Sequence, residues 1–163
     1  NGARVVIKPT EFKNDSISMS GFSPGGHSLV SDADYSSARF ASAIVADGGV
    51  GKHSKLALTK LLAGKVASVR VGIGELEESV NGRAAPADLE TMLQLMHLRF
   101  TAPRKDINDF AAWKANQQEW VRNRKLNPES VFFDEVSTKS DSPTRATSPS
   151  SLLATLTRQN FVH

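Results

Sequence analysis

The residues with the strongest look of chemistry are Gly48 to Ser54, GGVGKHS. Closely spaced glycines ahead of a lysine can bend a backbone so that several N–H groups converge on a phosphate. That motif needs a glycine five places before its Gly-Lys pair, a Ser or Thr directly after it, and a buried strand in front. Here Ala46 holds the first place, His53 the last, and a helical pattern precedes. The spacing favours a helix-ending turn, with a nucleotide-binding domain as the weaker alternative.

The histidines are His27, His53, His97 and His163, and no two are four apart in the way that puts two zinc-binding imidazoles on one helix face. His97 borders an apolar stripe; His27 and His53 fall in loops without nearby ligand partners. Glu75, Glu77 and Glu78, with Asp88 and Glu90, could on spacing alone do acid–base work. Nothing around them marks a raised pKa, so they read as solvated charge. Gly-x-Ser-x-Gly is absent, and a Ser/His/Asp triad cannot be assigned from chain order alone. Trp113 and Trp120 are seven apart, share a helix face and read as core packing. By residue type the chain offers no catalytic, cofactor-binding or metal-ligating residue.

An apolar share of 39% beside 23% charged residues suffices for one core of ordinary domain size. No apolar run approaches a membrane span. Cysteine is absent, which excludes disulfides and thiolate chemistry and fits either cytoplasm or periplasm. The +3 net charge and pI near 9.3 permit nucleic-acid contact. Between Arg99 and Lys125, however, acids alternate with bases and no aromatic-basic platform forms, so a solvated face and no nucleic-acid partner are expected. The start at Asn1, with neither Met nor a signal-like segment, suggests a piece of a longer protein.

The positioning elements follow from periodicity. Arg4–Lys8 (RVVIK) predicts a strand closed by Pro9. Ser16–Ser23 alternates Ser16, Ser18 and Ser20 with Ile17, Met19 and Gly21, which predicts a second strand hairpinned to the first. A helix opens after Ser31, Asp32 and Asp34, with Tyr35, Ala38, Ala41 and Val45 on one face and Phe40 and Ile44 widening it. Gly48, Gly49 and Gly51 end it, and Ser54 caps a second helix with Leu58, Leu61 and Leu62 that stops at Gly64. Val66–Ile73 and Leu76–Ala84 predict two strands around a Gly74-Glu75 turn, the first bent or bulged at Gly72 and Gly74. Pro86 opens a helix with the stripe Leu89, Met92, Leu93, Met96 and Phe100, ended by Pro103. Asp106 caps the next, whose inner face carries Phe110, Trp113, Gln117, Trp120 and Val121. Asn127-Pro128 breaks it and opens another through Val131, Phe132 and Phe133. The order gives an α+β domain over residues 1–136: an antiparallel sheet with helices packed on one face. A Ser/Thr/Pro-rich loop is expected over 137–151, and a short helix with Leu152, Leu153 and Leu156 within 152–163.

Five stretches taken together resemble the pitrilysin-type (insulinase-type, inverzincin) zinc metallopeptidases, above all the C-terminal half of large bacterial members. They are NGARVVIKPTEFKND, ISMSGFSPGGHSLVSDADY, VADGGVGKHSKLALTKLLAGKVASV, APADLETMLQLMHLRFTAPRKD and FAAWKANQQEWVRNRKLNPESVFFDEV. They cover Asn1 to Val136 in the family's order.

The resemblance implies a metallopeptidase-like domain of pitrilysin or processing-peptidase type, lacking one or two late strands. In that family only the first domain of the active half carries H-x-x-E-H on a helix, with a Glu ligand downstream. The equivalent stretch here, Arg39–Asp47 (RFASAIVAD), has neither His nor Glu, and near the downstream position stands Gln118-Glu119. The resemblance thus implies a catalytically silent domain with no zinc of its own. It would help wall a peptide-binding chamber in a parent zinc endopeptidase, its partners being the other domains of that parent and peptide substrates. A periplasmic location is expected by the same resemblance. The alternative is a free-standing protein-binding or assembly module of this fold.

Overall fold

The computed structural model describes residues 2–140. The expected loop from residue 141 onward and the C-terminal helix lie outside the described residues. The elements run β1 (Ile17–Pro24), α1 (Tyr35–Gly48), α2 (Lys55–Leu61), β2 (Ala67–Ile73), β3 (Glu77–Ala84), α3 (Leu89–Thr101), α4 (Ile107–Arg124) and α5 (Pro128–Ser140). Short 3-10 turns at His27–Leu29 and Pro86–Asp88 join them. The described strands form one antiparallel sheet in the order β1-β3-β2, and the fold class is α+β with the helices on one face.

Period-two alternation makes the sheet two-faced. Ile17, Met19, Ala67, Val69 and Ala84 face the helices, and Ser18, Ser20, Ser68, Arg70 and Arg83 are exposed on the other side. Near the end of β3, Gly82 makes room for Met92: a Cβ there would lie 2.8 Å from the Met92 sulfur. Met92 is 1% exposed, and burial on that scale stabilises by about 1.5–3 kcal/mol. A second cluster joins Val50, Leu58 and Leu95. A third joins Ile44 of α1 to Phe110, Trp113 and Val121 of α4, with Phe40 packed against it.

Several expectations need correction. Arg4–Lys8 forms no strand, and Val5, Val6 and Ile7 are exposed. The hairpin with Ser16–Ser23 is therefore absent; β1 pairs instead with β3, Ile17 opposite Ala84 and Pro24 opposite Glu77. Backbone pairing needs a free edge, and β3 supplies one to each neighbour. No bulge interrupts β2, whose register with β3 runs unbroken from Ala67 to Ile73. In α3 the buried residues are Met92 and Leu95, while Leu93 and Phe100 are exposed. That helix is apolar on two sides, and the sheet selects the side that nests on Gly82. In α1 the buried line is Ser36, Ile44 and Gly48, because the bulkier Phe40 and Ile44 are the side chains that reach α4. Trp120 is half-exposed, its ring faced by Arg124 at 5.2 Å. α5 also runs on through residues 137–140, where the loop was expected to begin.

Candidate functional site

α1 stands where the sequence resemblance puts a catalytic helix, and its side chains are held by packing. Phe40 meets Trp113 edge-on with ring centroids 5.5 Å apart, and Trp113 stacks on Phe110 at 6.3 Å. Arg39 donates to the Tyr35 hydroxyl at 3.4 Å. Asp47 is ion-paired with Lys55 of α2. Glu119 lies on α4 and takes a 2.6 Å hydrogen bond from Arg122, one turn along its own exposed face. Zinc in a peptidase wants three N or O donors converging with a fourth position open. Among the described residues no group of three His, Cys, Asp or Glu side chains converges. α1 offers only the Lys55-bound Asp47, so its residues do not fit a zinc ion.

The GGVGKHS segment is a locked turn. Gly49 has φ 90°, and a Cβ there would overlap the His53 carbonyl. Val50 is wholly buried. The Val50 N–H donates to the His53 carbonyl at 3.0 Å, His53 N–H returns to Val50 at 2.9 Å, and Gly51 N–H donates to Ala102 at 2.7 Å. These three donors close on the protein itself and are not left open to a phosphate. Ser54 caps α2, its hydroxyl accepting from Ala57 N–H at 3.3 Å.

The remaining candidates are dispersed. His27 is buried edge-on against Tyr35, with centroids 5.2 Å apart. His53 is half-buried in the glycine turn, His97 is exposed on α3, and His163 lies outside the described residues. Glu75, Glu77 and Glu78 are exposed at the β2–β3 turn and its edge. Asp88 is structural: it accepts from Val66 N–H at 2.8 Å and from Lys65 at 3.3 Å, pinning the entry to β2. The Val66 bond foremost, then Lys65, holds its carboxyl below the usual carboxylate range.

What the fold does assemble is a groove of about 1020 Å³ between the three strands of the sheet, α1 and the end of α3, flanked by the N-terminal segment. Its lining includes Phe22, Val45 and Phe100 among apolar groups, and Arg4, Glu78 and Arg99 among charged ones. Arg99 is half-buried and donates from Nη1 to the Val45 carbonyl at 3.2 Å, near the end of α1. Burial pushes its guanidinium below the ordinary arginine pKa. Sequence reasoning does not single Arg99 out. The available signal is its place in line with Met92 and Leu95, a cation on the buried side of α3. Such a groove has room for an extended chain and offers cations to an anionic group.

No family model matches the chain. Among curated proteins it is similar to a zinc protease PQQL-like of Arabidopsis thaliana, 30% identical over 139 residues. That alignment takes in 83% of this chain and 12% of the relative, so the chain spans about an eighth of the curated protein it matches. Its fold matches the periplasmic protease PqqL of Escherichia coli with a TM-score of 0.72 at 18% identity, over 94% of this chain and 18% of that one. The ferredoxin protease FusC, crystallised in complex with an Arabidopsis ferredoxin, gives 0.68 at 16% identity over 91% of this chain and 16% of FusC. A protease of Helicobacter pylori gives 0.71 at 12% identity over 94% of this chain and 38% of that one.

Proposed function

We propose that this chain, which belongs to the pitrilysin-type zinc protease family, serves as a catalytically silent domain that helps wall the peptide-binding chamber of a zinc endopeptidase. The observation that carries this is α1. Where an active domain would present two imidazoles and a carboxylate, residues 39–47 present alkyl groups, the Phe40 ring, the Ser42 hydroxyl, one arginine and one lysine-bound aspartate. Zinc would be held, and its water activated, by a sister domain of the longer protein. The partners are the other domains of that protein and the peptides it encloses.

The exposed apolar side chains support such covering partners. Val131, Phe132, Phe133 and Val136 stand exposed along α5, next to Leu126. An apolar surface of this kind is ordinarily covered by another protein surface. We propose a periplasmic location for the parent, supported by its fold likeness to a periplasmic protease. Among the described residues no helix is long and apolar enough to cross a membrane.

Metal analysis of the purified chain tests the proposal. After dialysis against micromolar zinc, the chain is expected to retain none stoichiometrically and to cleave no peptide. One zinc per chain, together with peptide cleavage abolished by a chelator, would overturn the silent-domain assignment.

A further inference from the structure

Three arginines are half-buried among the described residues: Arg99, Arg104 and Arg124. Two of them sit on carboxylates. Arg104 pairs with Asp106 and with Asp109, the latter at 3.4 Å, and Arg124 grips Asp134 at 2.7 Å. Arg99 is different. Its partner is the Val45 carbonyl, and no ion pair joins it to any carboxylate among the described residues. A guanidinium carries five N–H donors in a planar fork matched to a carboxylate. A cation withdrawn from water without an anion is costly, and that cost is recovered when an anion arrives.

The setting tells which anion fits. Arg99 lines the groove of about 1020 Å³ with Arg4 on the N-terminal side and apolar walls from Val45 and Phe100. Glu78 shares the groove but is turned towards Gly25, where a Cβ would lie 3.1 Å from its Oε1. Two guanidiniums thus stand against one carboxylate. The opening is sized for a segment of chain rather than a lone ion.

We infer that Arg99 is a carboxylate-binding residue, and that this groove receives a peptide whose carboxylate seats on the open edge of the guanidinium. The inference rests on the chamber function proposed above and adds a substrate preference to it. The carboxylate can be an Asp or Glu side chain or a peptide C-terminus; both present the same two oxygens.

Fluorescence anisotropy with the full chain tests it, using three labelled peptides of otherwise equal sequence. One has a central Glu and an amidated end, one has Gln and an amidated end, and one has Gln and a free C-terminus. At least one carboxylate peptide is expected to bind on the order of tenfold tighter than the neutral one, and which one does so identifies the source. That advantage should vanish in Arg99→Gln, survive in part in Arg99→Lys, and grow in Glu78→Gln, which removes the competing carboxylate. Far-UV circular dichroism and thermal melting confirm that the variants fold. If Arg99→Gln does not fold, the other two variants decide. Equal affinity for all three peptides, or a carboxylate preference unchanged by these substitutions, overturns the inference. The two proposals fail separately: zinc held on α1 sinks the silent domain and not this site, and a metal-free chain indifferent to carboxylates does the reverse.

Discussion

The turn Gly48–Ser54 and the groove beside Arg99 lie at opposite ends of what a sequence advertises. The turn has the glycines and lysine of a phosphate loop. Yet its Val50, Gly51 and His53 N–H groups are engaged by the protein's own carbonyls, and Val50 is buried. The groove has no motif at all, yet among the described residues its half-buried Arg99 guanidinium has one hydrogen bond, to a carbonyl, and no ion pair with a carboxylate. Binding capacity follows from donors left open after folding, and residue type alone does not reveal which those are.

The sharpest way to break this contrast is Gly49→Ala. With φ at 90° and a carbonyl where the Cβ would go, roughly 3 kcal/mol of stability should be lost, read as a lower urea midpoint. A neutral outcome would mean that the turn is not locked. Gly51→Ala sharpens the point within the same loop. Its φ is 52° but nothing lies within 4 Å of the new Cβ, so only about 1 kcal/mol should be lost. Ser54→Ala removes the cap on α2 and should also lose about 1 kcal/mol by the same measurement.

Acid titration addresses the ion pairs that set Arg104 and Arg124 apart from Arg99. Asp106, Asp134 and Asp88 all have carboxyl pKa values lowered in the fold, chiefly by Arg104, Arg124 and the Val66 N–H respectively. A lowered folded-state pKa gives stability that is present above the unfolded value, near 3.9, and lost as pH falls through the folded one. Urea midpoints should therefore hold from neutral pH down to about 5 and fall below about 4. Asp134→Asn should be less stable at neutral pH and show a shallower acid decline. The smallest expected effect is none: ATP or pyrophosphate should leave the melting temperature unchanged, and a reproducible rise would restore a phosphate site to the glycine turn.

Much of the fold was legible in the chain. Serine alternation marked β1, Ser54 and Asp106 marked their helix starts, and Asn127-Pro128 marked the opening of α5, where Asn127 Oδ1 accepts from Glu129 N–H at 3.0 Å. Such signals are local, since a cap or an alternation acts within a few residues. Arg4–Lys8 misled for the same reason: a β-branched run shows strand propensity but cannot show whether a partner edge exists. α3 misled because two apolar sides gave two stripes, and the choice between them was made by Gly82, ten residues before Met92 and on another element.

By itself, the sequence determined most of the helical and extended segments, the absence of thiol chemistry, and the lack of His or Glu at residues 39–47, because each depends on residue type and near-neighbour spacing. Only the tertiary structure decided that β3 is the central strand, that the glycine turn closes on Ala102, and that Arg99 lines a groove with no ion-pair partner among the described residues. Those depend on which distant surfaces exclude water from one another, and no local pattern encodes that.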